Sequence, residues 1–68
     1  MMVRIRLKEI LQEKDISMSK LSRMSDISFS TISRIINDKN YSPTLSKLER
    51  IARALDIPIS DLYEEIEK

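Results

Sequence analysis

Between Ser25 and Arg34 the chain reads Ser-Asp-Ile-Ser-Phe-Ser-Thr-Ile-Ser-Arg, five hydroxyl side chains and one guanidinium within ten positions. Short hydroxyls both donate and accept hydrogen bonds, and a guanidinium offers a planar fork of donors. The segment is therefore equipped to read the polar edges of another molecule. It is poorly equipped to break bonds. No histidine or cysteine occurs in the 68 residues, which removes the commonest general base, the commonest metal ligand and all thiolate chemistry. Glu64 and Glu65 are adjacent, and on a helix they would point about 100° apart, an unconvincing acid–base pair. No enzyme, metal site or cofactor is expected.

Charge points toward a polyanion. Residues 1–55 carry eleven Lys/Arg against six Asp/Glu (+5), and residues 56–68 carry one Lys against five acids (−4), giving the net +1 of the whole chain. A basic body with an acidic end suits a polyanion partner, and a merely solvated charged face explains the same counts equally well. A chain of this length buries only about 60% of its unfolded surface, so residues 1–68 are expected to form one domain around one small core. No apolar run is long enough to span a bilayer and no signal peptide is visible, so a cytoplasmic protein with no membrane contact is expected.

The elements that must hold the hydroxyl-rich stretch follow from periodicity. Val3, Leu7, Ile10 and Leu11 recur at helical spacing and predict a first helix from about Val3 to Lys14. Ser17 caps a second helix from Met18 to about Ser25, with Leu21 and Met24 facing inward. Ser28 caps a third, to about Asn37, in which Ile32, Ile35 and Ile36 share a face. After a polar loop, Thr44 caps a fourth helix carrying Leu45, Leu48, Ile51, Ala52 and Leu55. Ser60 opens a fifth segment with Leu62, Tyr63 and Ile66. The expected architecture is all-α, a compact bundle of five helices with no sheet. Glycine is absent, so Asp15, Asp26, Asp38 and Asp56, each just past a predicted helix end, are expected to take the left-handed exit conformation.

A helical wheel on the third helix sorts its two faces. With Ile32 pointing inward, Ile35 and Ile36 lie within about 60° of it, while Ser30, Ser33, Arg34 and Asn37 lie roughly 100 to 160° away. Such a face suits the DNA major groove, because short hydroxyls let the backbone approach base edges. Serine is also a mediocre helix former, so its density on one exposed face argues for a use. Arg34 can address guanine O6 and N7 in bidentate fashion or reach a phosphate. Phe29, about 60° from the core direction, meets a thymine methyl or folds back over Ile27.

Residues 18–37, MSKLSRMSDISFSTISRIIN, resemble the helix-turn-helix of the Cro and phage-repressor (XRE) family, with Leu21, Ile27, Ile32 and Ile35 at its four buried apolar positions. The likeness extends through EKDIS before it and SPTLSKLERIARALDIPISDLYE after it, nearly the whole chain. The chain departs from the family at Ser22, where alanine is usual, and at Asp26, where glycine is usual. Leu11 and Ile36 stand where relatives often pair an arginine with a glutamate, the exchange of an ion pair for apolar packing.

The resemblance implies the DNA-binding domain of a transcriptional regulator, most simply a repressor acting by occupancy, with a central helix-turn-helix. Base-reading residues would be Phe29, Ser30, Ser33 and Arg34. Phosphates would be met by the amides at Ser17, Met18 and Thr44, helped by Asn37, Lys39, Asn40 and Ser42. Relatives commonly bind pseudopalindromic double-stranded operators as homodimers. Leu62, Tyr63 and Ile66 are candidate dimer contacts, and Leu62 and Ile66 equally suit closure of the chain's own core. No small-molecule ligand is expected. The competing function is a helical protein-interaction or antitoxin-like module that uses the C-terminal segment, with DNA incidental.

Overall fold

A computed structural model describes residues 2–38 and 40–66. In chain order it comprises strand β1 (Met2–Ile5), helices α1 (Leu7–Lys14), α2 (Met18–Ser25), α3 (Phe29–Asn37) and α4 (Leu45–Leu55), a single 3₁₀ turn at Ile59–Leu62, and strand β2 (Tyr63–Ile66).

The three central helices begin where their caps stand. The hydroxyls of Ser17, Ser28 and Thr44 each accept from a backbone N–H three residues on, those of Lys20, Thr31 and Lys47. Each satisfies one of the first-turn donors that a helix cannot pair internally. Leu7, Ile10, Leu11, Leu21, Ile27, Ile32, Ile35, Ile51, Ala52, Leu55 and Leu62 form the buried core. In it α2 packs against both α3 and α4, and α1 against α3. Leu21, Ile32, Ile51 and Leu62 are wholly buried. Met24, expected to face inward, is 43% exposed.

Both ends of the chain differ from the all-α expectation. Among the described residues there are four α-helices and a two-stranded antiparallel sheet, not five helices. The sheet pairs Met2 with Ile66, Val3 with Glu65, Arg4 with Glu64 and Ile5 with Tyr63. The first helix starts at Leu7 and not near Val3 because residues 2–5 are extended in the ribbon; Arg6, at its N-cap position, makes no side-chain capping bond. The last apolar segment is one 3₁₀ turn followed by β2. Arg6 N–H donates to the Leu62 carbonyl at 2.7 Å, continuing the ladder beyond the strands.

A charge cluster crosses this ribbon. The Arg4 guanidinium donates to Glu64 at 2.8 Å and to Glu9 in α1. The Glu9 carboxyl is held below the usual carboxylate range, first by its own backbone N–H and then by Arg4.

Three of the four aspartates expected at helix exits are left-handed: Asp15 at φ 56°, Asp26 at φ 58° and Asp56 at φ 58°. Asp38 is not. It is extended at φ −103°, and its Oδ1 accepts from Asn40 N–H at 2.9 Å. It opens a turn with its side chain instead of closing a helix with its backbone.

Candidate nucleic-acid interface

The turn between α2 and α3 is set by small side chains. Ser22 Oγ donates to the Ile27 carbonyl at 2.5 Å, and the buried Ser25 Oγ donates to the Leu21 carbonyl at 2.7 Å. Asp26, between Ser25 and Ile27, supplies the left-handed residue. Chain reversal therefore needs neither the alanine nor the glycine usual in the family. Arg50 from α4 adds a brace, donating to the Asp26 carbonyl at 2.8 Å and lying 3.3 Å from its carboxylate.

The hydroxyl-rich stretch divides into two sets. Ser25, Ser28 and Thr31 are used within the fold, the first in the bond above. Ser28 caps α3, and its Oγ also donates to Thr31 Oγ1 at 2.8 Å. Ser30 and Ser33 lie on the outer side of α3: the Ser30 hydroxyl is exposed, 3.3 Å from that of Ser28, and the half-buried Ser33 Oγ accepts from Asn37 Nδ2 at 3.2 Å. Ile32 and Ile35 are buried on the opposite side, and Ile36 is partly buried against the core. Phe29 is 47% exposed, a large apolar ring left at the head of the helix. The Arg34 side chain is 61% exposed. It lies 3.8 Å from Asp38, and its guanidinium sits 4.5 Å from the centre of the Tyr41 ring.

A groove of about 580 Å³ opens between α1, the start of α2 and the end of α3. Leu11 and Ile36 line it together as an apolar pair. Ser17, Met18 and Asn37 line it as well, so three of the expected phosphate contacts share one side of the fold. The amides of Met18 and Ser19 belong to the first turn of α2, whose N–H groups have no intrahelical acceptor and lie at the positive end of the helix dipole. The start of α4 behind Thr44 has the same character. Asn40 and Ser42 are exposed in the connecting loop, and Lys39 lies outside the described residues.

The C-terminal candidates separate. Leu62 is wholly buried in this chain's own core, in line with the core-closure alternative given for it beside the dimer one. Tyr63 is half-buried opposite Ile5, and Ile66 lies in β2 opposite Met2. The sequence reading missed Tyr41, Asp38 and Arg50 as residues that shape the site. Only Arg34 and Asp38 carried a readable signal, the four-residue spacing of a helical ion pair.

Comparison with known proteins agrees with this geometry. Residues 6–68 match the Cro/C1-type HTH DNA-binding domain family. Over 63 residues the chain is 33% identical to the HTH-type transcriptional regulator PuuR of Escherichia coli (strain K12), and equally to that of Shigella flexneri. The match covers 93% of this chain and 34% of each relative, so the chain spans about a third of their length. With a capped helix-turn-helix braced by α4 and a family match over nearly all its residues, the chain belongs to the Cro/C1-type HTH DNA-binding domain family.

Proposed function

We propose that residues 1–68 act as a single sequence-specific DNA-binding domain that inserts α3 into the major groove of duplex DNA and represses transcription by occupying its operator. The observation that carries this reading is the outer side of α3, where Phe29, Ser30 and Arg34 are exposed over a buried row of isoleucines. Short hydroxyls admit the helix backbone to the groove, Phe29 offers a surface for a thymine methyl, and Arg34 offers a guanidinium to a guanine edge. Ser33 and Asn37, already bonded to each other, form the adjoining polar strip. The positive ends of α2 and α4, with Asn40, Ser42 and Lys39, would grip the phosphates on either side.

We further propose a homodimer on a pseudopalindromic operator, with recognition helices about one DNA turn, ~34 Å, apart. Tyr63 and Ile66 on the terminal ribbon remain the candidate contacts. With DNA as partner, the proposed compartment is the cytoplasm. The interaction-module alternative is weakened because Leu62, one of the three residues offered to a partner with Tyr63 and Ile66, is engaged in this chain's own core.

Selection of the 68-residue chain against a random duplex library at two salt concentrations tests the proposal. An enriched inverted repeat with half-sites one turn apart is expected, with affinity falling steeply as salt rises. Recovery of nothing above background at either salt would overturn it and return the C-terminal ribbon to attention as a protein-binding element.

A further inference from the structure

Arg34 leaves the last turn of α3 between two partners supplied by the residues that follow. The ring of Tyr41 lies 4.5 Å from its guanidinium carbon, and Asp38 Oδ2 lies 3.8 Å from Nη2. The bracket is itself built by backbone bonds. Asp38 N–H donates to the Arg34 carbonyl at 2.9 Å, and Tyr41 N–H donates to the Asp38 carbonyl at 3.1 Å. The second carboxylate oxygen, Oδ1, accepts from Asn40 N–H at 2.9 Å, so one oxygen fixes the loop and the other faces the arginine. Tyr41 is partly buried and packs against the core, contacts that restrain its ring.

An exposed arginine on a helix normally samples many rotamers, and each must be given up when it docks. Stacking on an aromatic face restrains the guanidinium plane while leaving the N–H donors along its edge unspent. A carboxylate at 3.8 Å steers the group without consuming its fork in a bidentate bond. An acid in a phosphate-facing loop weakens DNA affinity by repulsion, so steering gives Asp38 a use there that phosphate binding does not.

We propose that Tyr41 and Asp38 are positioning residues for specificity, holding the Arg34 guanidinium edge-outward so that it reads a base edge in the groove instead of settling on a phosphate. This rests on the major-groove reading of α3 given above.

Two measurements separate the bracket from that reading. The first needs no DNA: nuclear relaxation of the Arg34 Nε–Hε group in the free protein. Tyr41→Phe, which keeps the ring, should preserve its order, whereas Tyr41→Leu, which keeps an apolar plug against the core, should lower it to the level of the exposed Arg23. Unchanged order in Tyr41→Leu would overturn the bracket. The second is selection from the random duplex library. Tyr41→Leu should lose discrimination by about fivefold or more at the one or two base pairs that Arg34→Ala relaxes, while Tyr41→Phe retains it. Asp38→Asn, which keeps an acceptor for Asn40 N–H, should relax the same positions and strengthen binding to unrelated duplexes. A uniform loss of affinity with base preferences intact would reduce Tyr41 to a structural role and overturn the proposal. Should the unaltered protein enrich no sequence, the groove reading fails and the specificity role falls with it, while the relaxation experiment still reports whether the bracket exists.

Discussion

The Arg50 guanidinium, in the middle of α4, donates at 2.8 Å to the carbonyl of Asp26, the left-handed residue on which the helix-turn-helix reverses. Twenty-four residues separate the two in sequence. The bond ties the turn to the supporting helix, and the carboxylate of the same aspartate, 3.3 Å from Arg50, adds an exposed ion pair of small worth. Removal of the arginine should therefore cost more than removal of the carboxylate. Arg50→Ala is expected to destabilise by about 1 kcal/mol through the lost charge-assisted bond. Asp26→Gly keeps that bond and relaxes the backbone, and should fall within a few tenths of a kcal/mol of the parent. Urea melts of the two variants check the order.

The aspartates at helix exits should not respond alike. Asp15→Gly and Asp56→Gly place glycine where φ is already positive and should be neutral or stabilising by a few tenths of a kcal/mol. Asp38→Gly adds freedom at an extended residue and removes the acceptor for Asn40 N–H, so it should destabilise by about 0.5–1 kcal/mol. Thermal unfolding of the three variants compares them directly.

Leu62→Ala opens a cavity in a fully packed site and is expected to cost about 2–5 kcal/mol. Loss of stability with no change in the concentration dependence of sedimentation is the expected pattern. Tyr63→Ala is the contrasting variant, and a weakened self-association there, at smaller cost in stability, is expected if the ribbon joins two copies.

The Glu9 carboxyl titrates below its ordinary range because its own backbone N–H and then Arg4 favour the charged form. A depressed folded-state value means stability present above the unfolded value, near ~4.3, and lost as pH falls through the folded one. Glu9→Gln should therefore be less stable than the parent near neutrality, with the gap closing at acid pH. A gap that stays constant from pH 7 to pH 2 would rule out the carboxylate as its source.

Within the proposed DNA complex, Arg34→Ala should cost about 1–3 kcal/mol on the preferred operator and relax one or two base pairs. Lys39→Ala should instead weaken all duplexes alike and flatten the slope of log K against log salt by about one. Matched titrations on specific and scrambled duplexes at several salt concentrations separate the two behaviours.

The sequence by itself determined the helix-turn-helix. Ser17, Ser28 and Thr44 each cap a helix through the N–H three residues on, and Ile32, Ile35 and Ile36 share one face at helical spacing, so each signal lies within a few residues of the structure it dictates. The outward placement of Ser30 and Arg34 follows from the helical period, whereas Phe29, about 60° from the core direction, is assigned to the exposed side only by the folded structure. The ends were decided only by the tertiary structure. Val3 falls four residues before Leu7 and therefore looks like one more helical turn, yet residues 2–5 find their partners some sixty positions away in residues 63–66. Two strands of four residues each carry too little pattern to announce themselves, and the pairing exists only once the core has brought the chain ends together. The contact from Arg50 to Asp26, twenty-four positions apart, and the folded-back loop that lays Tyr41 beside Arg34 left no periodic trace in the sequence. Their geometry depends on how the elements pack, not on which residues neighbour each other along the chain.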